Sequence, residues 1–93
     1  MYERILNQLR EKIRTRQYVM TLHAEEEMDE DELTIFDVES VILSGKIIER
    51  QKDQNTDEWK YLVKGESLAG ESVVTVTKIG PTDKLIFITI YRD

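Results

Sequence analysis

His23 is the only histidine of the chain, and histidine is the side chain whose ordinary pKa best suits proton transfer near neutral pH. The sequence has no cysteine, so disulfides, thiolate nucleophiles and thiolate metal ligands are excluded. Two interpretations of His23 stay open. It is either a histidine held by local hydrogen bonds beneath a sheet, or a general acid or base in a reactive site.

A metal site at this histidine would need more ligands than the neighbouring sequence supplies. His23 stands at helical spacing from Glu26 and Glu27, so two side chains could approach one divalent cation. Zinc generally needs three or four protein ligands, and the chain has no second histidine. We therefore predict no metal site. A chain of 93 residues also leaves little room for a deep cavity, so no cofactor is predicted.

Charge is distributed unevenly along the chain, although the net charge is only −6. Residues 1–18 carry five basic and two acidic side chains, whereas residues 25–39 carry nine acids and no base. The basic set is Arg4, Arg10, Lys12, Arg14 and Arg16. These residues either contact phosphate groups or keep the outer face of a helix in water. The acidic segment is either a solvated face or a docking surface for a basic protein partner.

The elements that must position these residues begin with a helix. Apolar side chains near the N-terminus recur at the spacing of one helical face. They are Tyr2, Ile5, Leu6, Leu9 and Ile13. The helix lies within residues 1–16, and residues 18–21, rich in aromatic and β-branched types, then predict a short strand. A second helix should open near Leu22 and carry His23 in its first turn.

The third helix has the clearest boundaries in the sequence. Thr34 is an N-cap residue, and Asp37 stands where a capping box returns a hydrogen bond. Gly45 is expected to end this helix as a C′ glycine, a position where a left-handed backbone is usual. Between those limits an apolar stripe should pack on a sheet. It comprises Ile35, Val38, Val41 and Ile42.

From residue 46 onward the apolar period changes from helical to two-residue, which predicts strands. The predicted strands are Lys46–Lys52, Glu58–Lys64, Ser72–Ile79 and Lys84–Tyr91. Short, turn-rich connections between them predict an antiparallel meander, and the early strand should pair beside the last one. Strict alternation along that last strand places Thr89 and Tyr91 on the same face as Phe87.

The predicted architecture is α+β, a single domain covering residues 1–93. Two to three N-terminal helices should pack on one face of a curled antiparallel sheet of four main strands, with one short early strand beside it. The longest apolar run, Leu85 to Ile90, has six residues, against the roughly 20 that a bilayer-spanning helix requires. We therefore expect a cytoplasmic protein with no membrane partner.

Four pieces of the sequence, taken in order, carry a resemblance to a known family. They run from His23-Ala24 through Asp37-Val38-Glu39, then Gly45-Lys46-Ile47-Ile48-Glu49, then Tyr61-Leu62-Val63-Lys64-Gly65, then Ile88-Thr89-Ile90-Tyr91. Over residues 18–92 the chain resembles the family catalogued as domain of unknown function 4258. The resemblance implies a helices-then-sheet fold similar to that of RelE-type and BrnT-type ribonuclease toxins.

The resemblance also implies an activity, namely metal-independent cleavage of RNA within a toxin–antitoxin type of system. In that chemistry a 2′-hydroxyl attacks the adjacent phosphate while a base removes its proton and cations offset the developing charge. Carried over by position, His23 would be the general acid or base and Lys60 the phosphate-stabilising cation. Thr89 and Tyr91 would supply hydroxyl groups on the same sheet surface, and the partner would be RNA.

One departure from the family pattern bears on this activity. The family commonly has arginines after the histidine, where this chain has Glu27 and Asp31. Two anions beside a phosphate site should repel RNA, because affinity for nucleic acid rests mainly on phosphate neutralisation. The alternative hypothesis is therefore a noncatalytic protein-interaction module that docks a basic partner through residues 25–39.

Overall fold

The computed structural model describes residues 2–93 as three helices followed by a sheet, with one short strand between the first two helices. The helices are α1 (Glu3–Arg14), α2 (Leu22–Glu30) and α3 (Ile35–Ser44). The strands are β1 (Tyr18–Met20), β2 (Lys46–Lys52), β3 (Trp59–Glu66), β4 (Ser72–Ile79) and β5 (Leu85–Arg92). The predicted α+β architecture is confirmed, and the strand ends differ from the predicted ones by at most two residues.

The first helix packs its predicted apolar face into the core. Leu6, Leu9 and Ile13 are buried in one cluster with the other helices and the sheet. From the same helix the guanidinium of Arg10 donates hydrogen bonds to the carbonyl oxygens of Ile42 at 3.3 Å and Gly45 at 2.9 Å. Because α3 has no basic residue in its last turn, Arg10 supplies the cation that its C-terminal carbonyl groups favour.

The sheet has the strand order β1-β5-β4-β3-β2. Its last four strands form the predicted antiparallel meander. The short early strand lies parallel to β5, with Tyr18 opposite Leu85 and Met20 opposite Phe87, so its predicted place beside the last strand is confirmed. The helices pack on one face of this sheet, and no helix of residues 2–93 covers the other face.

A β-bulge interrupts the last strand. Phe87 lies opposite Thr77, but Thr89 lies opposite Val76, so Ile88 is an extra residue in β5. Such a bulge moves every later side chain of the strand to the other face of the sheet.

The bulge overturns the prediction made from strict alternation. Phe87 and Ile90 are both fully buried beneath the helices, whereas Tyr91 is 38% exposed. Thr89 and Tyr91 therefore lie on the open face of the sheet and not on the face of Phe87, as alternation had predicted. The physical reason is that the extra residue breaks the two-residue period, which sequence pattern alone does not reveal.

The third helix begins and ends at the predicted residues, but Gly45 does not have the expected backbone conformation. The hydroxyl of Thr34 accepts from the Asp37 amide at 3.2 Å, and the Asp37 carboxylate accepts from the Thr34 amide at 2.8 Å, which confirms the capping box. Gly45 ends the helix with φ −93°, not in the left-handed region. A β-carbon there would lie 2.5 Å from the Lys64 carbonyl oxygen and 2.9 Å from the Gly65 α-carbon, so glycine permits a close approach between α3 and β3.

None of the helices in residues 2–93 is long and apolar enough to cross a membrane.

Candidate functional site

The position of His23 is fixed by the turn between β1 and α2. Thr21 caps α2, since its hydroxyl oxygen accepts from the Ala24 amide at 3.1 Å. The same hydroxyl donates to the Ile88 carbonyl oxygen at 3.2 Å, which ties the start of the helix to the bulge of β5. His23 is the second residue of that helix, and its side chain is 66% exposed. The imidazole is therefore accessible to solvent.

A carboxylate joins this imidazole to the last strand. The Nε2 atom of His23 lies 3.3 Å from Oε1 of Glu27, one helical turn away. The same oxygen accepts a hydrogen bond from the backbone N–H of Ile90 at 3.0 Å. Glu27 thus bridges His23 and the edge of β5. The exposed imidazole does not lie beneath the sheet, so that part of the local interpretation of His23 is wrong.

The next acidic residue along the same helix face has a similar role. Oδ2 of Asp31 lies 3.4 Å from the backbone N–H of Arg92, and the Asp31 carbonyl oxygen accepts from the Arg92 guanidinium at 2.5 Å. Since β1 ends at Met20, opposite Phe87, no strand of residues 2–93 lies beside the rest of the β5 edge. The carboxylates of Glu27 in α2 and of Asp31, the C-cap residue of α2, take the place of that strand.

The other predicted site residues are distributed over the open face of the sheet. Thr89 and Tyr91 flank Ile90, close to the Glu27 bridge, but on the face opposite the core. The contact of His23 with Glu27 thus reaches the same stretch of β5, but the side chains of Thr89 and Tyr91 lie on the face of the sheet away from the helices.

Lys60 is not brought to this place. It lies on β3, two strands from β5, while α2 covers the opposite edge of β5. Thr89 lies opposite Val76, which in turn lies opposite Leu62, so Lys60 is also two residues beyond that row. With about 4.8 Å between strands and 3.4 Å per residue, the α-carbons of Lys60 and Thr89 are about 12 Å apart.

The larger cavities of the molecule lie elsewhere, along α3. A cavity of about 460 Å³ is lined by six residues, which together we call the α3 groove. They are Phe36, Glu39, Ser40, Leu43, Ser44 and Leu68. Phe36 is 60% and Leu68 70% exposed, although both are large apolar side chains. A second cavity of about 470 Å³ shares Ser44 with the groove and extends it toward Lys46 and Lys64.

The far wall of the α3 groove is held in place by the cap of the helix itself. The second carboxylate oxygen of Asp37 accepts from the backbone N–H of Leu68 at 3.0 Å. The hydrogen bonds from the backbone of Thr34 and of Leu68 lower the pKa of Asp37. The neighbouring Ser67 is buried, and its hydroxyl accepts from the Glu71 amide at 3.1 Å. The loop that presents Leu68 is therefore ordered by contacts inside the protein.

The nine acids of residues 25–39 fall into two groups. Four of them build the fold. These are Glu27, Asp31, Asp37 and Glu39, the last accepting from the Tyr18 hydroxyl at 2.6 Å. The other five are exposed and make no side-chain hydrogen bond or ion pair with any described residue. They are Glu25, Glu26, Asp29, Glu30 and Glu32, which we call the α2 acidic surface.

Sequence reasoning missed the α3 groove. Phe36 and Leu43 stand outside the apolar stripe that was predicted to pack on the sheet, and two large apolar residues off the core face were the available signal. Leu68 gave no signal, because only the folded loop brings it beside α3. Within residues 2–93, no group of three metal-ligating side chains lies close enough to hold an ion.

Comparison with known proteins places the chain in a family. No curated protein and no solved structure matches it significantly. The family of the domain of unknown function DUF4258 matches residues 20–92, from the end of β1 to the end of β5. This match covers well over half of the chain, and it includes α2, the α3 groove and every strand of the meander. The protein belongs to the family of the domain of unknown function DUF4258.

Proposed function

We propose that this protein is a noncatalytic protein-interaction module that docks a basic partner through residues 25–39. The observation that carries the proposal is the α2 acidic surface together with the exposed α3 groove, which the chain links because Glu32 stands four residues before Phe36. Five carboxylates without partners among the described residues attract a cationic protein, and the apolar groove offers surface to bury. Charge gives the encounter its selectivity, while apolar burial supplies much of the affinity.

The charge of this region is also the reason that RNA is the less suitable partner. Arginines would neutralise phosphate groups, but Glu27 and Asp31 stand in their place and carry the opposite sign. Both carboxylates are committed to the β5 edge through Ile90 and Arg92. Lys60, the proposed phosphate-stabilising cation, lies two strands away from β5.

The experiment that tests the proposal compares two charge-neutralised variants. Glu25→Gln/Asp29→Asn removes two charges from the α2 acidic surface, and Glu11→Gln/Glu49→Gln removes two from exposed positions that line neither the groove nor the second cavity. Proteins captured by the wild type are identified, purified and titrated by calorimetry at two salt concentrations. We expect a basic partner whose affinity falls with salt and falls with the first variant only. Equal affinity for both variants, or a partner that is not basic, contradicts the proposal.

A second candidate function is the RNA cleavage that the family resemblance implies, and one contact favours it. Glu27 orients the exposed His23 imidazole next to the strand that carries Thr89 and Tyr91, an arrangement in which a histidine can act as a general base. Incubation of the pure protein with single-stranded RNA tests it. Cleavage by the wild type that is lost in His23→Ala, with the fold intact, establishes this candidate over the first. Lys60→Ala then shows whether the distant lysine takes part.

A further inference from the structure

We infer that the α3 groove receives an amphipathic helix of another protein, with apolar anchors in the groove and basic side chains over the α2 acidic surface. This inference rests on the proposed function and names the form of the partner. A groove on the outside of a helix offers apolar side chains but no free backbone groups, unlike a sheet edge, so an extended segment would gain no pairing there. A helix satisfies its own backbone and needs only side-chain contacts.

The dimensions of the groove match two turns of a helix. Phe36 and Leu43 are seven residues apart on α3, which corresponds to about 10.5 Å along the helix axis. Ser40 lies between them and leaves a shallow floor, while Leu68 stands opposite as a second wall. Apolar anchors at positions i, i+3 or i+4, and i+7 of a partner helix span the same length.

The groove is already formed without an occupant. Leu68 is exposed, yet its backbone N–H is bound to Asp37 and the loop beside it contains the buried Ser67. A partner therefore does not need to order this wall when it binds, and the entropy cost of association is correspondingly smaller.

Charge at the two ends of the groove sets the direction of the partner. Glu32 precedes Phe36 by four residues and belongs to the α2 acidic surface, at the N-terminal end of α3. At the other end the second cavity is lined by two lysines, Lys46 and Lys64, and by one acid, Glu66. Lys64 is paired with Asp93, whereas Lys46 makes no ion pair with any of residues 2–93. The basic residues of the partner should therefore lie toward Phe36, and any acidic residue toward Lys46.

A second copy of this chain fits the groove less well. Two copies meeting at this face would bring two α2 acidic surfaces together, and like charges across an interface oppose association.

Designed peptides of about 15 residues, long enough to form a helix, test the inference directly. The first peptide has leucines on one face and lysines on the others. A second has the same composition with the leucines distributed all round, and a third has glutamates in place of the lysines. Binding is measured by fluorescence anisotropy, and the contact site is mapped by NMR shifts. We expect the first peptide to bind, to shift Phe36, Leu43 and Leu68, and to bind better than the other two.

Two matched variants locate the contact. Leu43→Ser alters the groove, while Leu22→Ser alters a more exposed leucine outside it. Loss of an apolar anchor in a groove weakens binding by about tenfold, so Leu43→Ser should lose about that factor and Leu22→Ser none. Both residues are exposed, and a thermal melt of each variant confirms that the fold is retained.

Each other outcome overturns the inference in a recognisable way. In one outcome the two lysine peptides bind equally well, and binding is lost in Glu25→Gln/Asp29→Asn but not in Leu43→Ser. That result contradicts the role of the groove but is consistent with the proposed function. No binding of any peptide, together with no basic partner in the capture experiment, removes both. Self-association of the wild type that Leu43→Ser abolishes assigns the groove to a second copy instead.

Discussion

Glu27 accepts a hydrogen bond from the backbone N–H of Ile90 at 3.0 Å, and this contact closes the edge of β5 beyond the end of β1. A helix side chain here does what a neighbouring strand does elsewhere in the sheet. Glu27 stands at one of the two positions where the family resemblance implies an arginine, and its contact with Ile90 shows what an acid does there. An arginine at this position has no acceptor to offer to the amide.

Replacing Glu27 should therefore destabilise the protein through the amide that loses its acceptor. We expect Glu27→Ala to lower the free energy of unfolding by about 1–3 kcal/mol, and Glu27→Gln, which keeps an acceptor, by less. The neighbouring Glu26 is exposed and has no partner among the described residues, so Glu26→Ala should change the free energy of unfolding by at most about 0.5 kcal/mol. Urea denaturation followed by the fluorescence of Trp59 measures all three, and similar values for Glu27→Ala and Glu26→Ala would contradict the assigned role.

The contact between α3 and β3 depends on two glycines. A β-carbon on Gly65 would overlap the Val41 carbonyl oxygen and lie 2.9 Å from the α-carbon of Gly45, so backbone would have to move. Gly65→Ala should cost about 3 kcal/mol or more, the upper range for overpacking. Gly70→Ala is the matched control, since its β-carbon meets nothing but its φ of +83° costs about 1 kcal/mol. Thermal melts of both variants measure the loss of stability. An equal loss in the two variants would show that α3 and β3 are not in tight contact at Gly65.

Stability at high pH should depend on Tyr18. Burial, and then the hydrogen bond to Glu39, raise the pKa of Tyr18 to about 12. The unfolded chain loses this proton near its ordinary pKa of about 10, so between about pH 10 and 12 it binds fewer protons than the folded chain. The stabilisation is complete below pH 10 and is lost as pH rises through the folded pKa.

Substitution of the same tyrosine tests this dependence. Tyr18→Phe should lower the free energy of unfolding by about 1 kcal/mol near neutral pH, because Glu39 loses its donor. The same variant should lose less stability than the wild type between pH 10 and 12. Tyr91→Phe leaves Tyr18 in place and should follow the wild-type curve. If the free energy of unfolding fell equally with pH in Tyr18→Phe and in the wild type, the pKa of Tyr18 would not be raised in the folded state.

Asp37 should make the protein sensitive to acid. Hydrogen bonds from the backbone of Thr34 and of Leu68 lower its pKa, so its stabilising contribution is present above the unfolded value of about 3.9 and is lost as pH falls through the folded pKa. Asp37→Asn should cost about 1 kcal/mol at neutral pH, as loss of a cap does, and should decline less steeply in acid. The exposed Asp29→Asn is the control. Hydrogen exchange of the Leu68 amide should accelerate in Asp37→Ala, which removes both acceptor oxygens, and not in Asp29→Asn. An unchanged exchange rate in Asp37→Ala would show that Asp37 does not hold the wall of the groove.

The helices could be predicted because their determinants are local. The capping box of Thr34 and Asp37 spans three residues, and the apolar stripe of α3 repeats within single turns. The early strand at Tyr18–Met20 was also predicted beside the last strand, since an interior strand that is apolar on both faces needs a neighbour on each side. Gly45 was placed correctly at the helix end but for the wrong reason, since steric approach to Gly65 decides it.

The candidate site could be predicted only in part. His23 was singled out because it is the only histidine, yet its partner could be Glu26 or Glu27 until the helix phase was known. Lys60 and Thr89 were grouped by family position, and the register of the strands separates them by two strands. The groove wall at Leu68 depends on a hydrogen bond to Asp37, 31 residues away in the chain.

The sequence by itself determined the elements, their order and the segregation of acid into residues 25–39, because helix caps, apolar periods and charge are properties of neighbouring residues. The tertiary structure decided which of those acids hold the β5 edge and which make no contact with the described residues. The reason is that the Ile90 amide bonds to the acceptor that the fold brings near it, and that acceptor, Glu27, is 63 residues away in the chain. The tertiary structure also decided which face Thr89 and Tyr91 occupy. The extra residue Ile88 moves both side chains to the opposite face of the sheet. A bulge forms where two paired strands differ in residue count, so the sequence of β5 alone does not predict it.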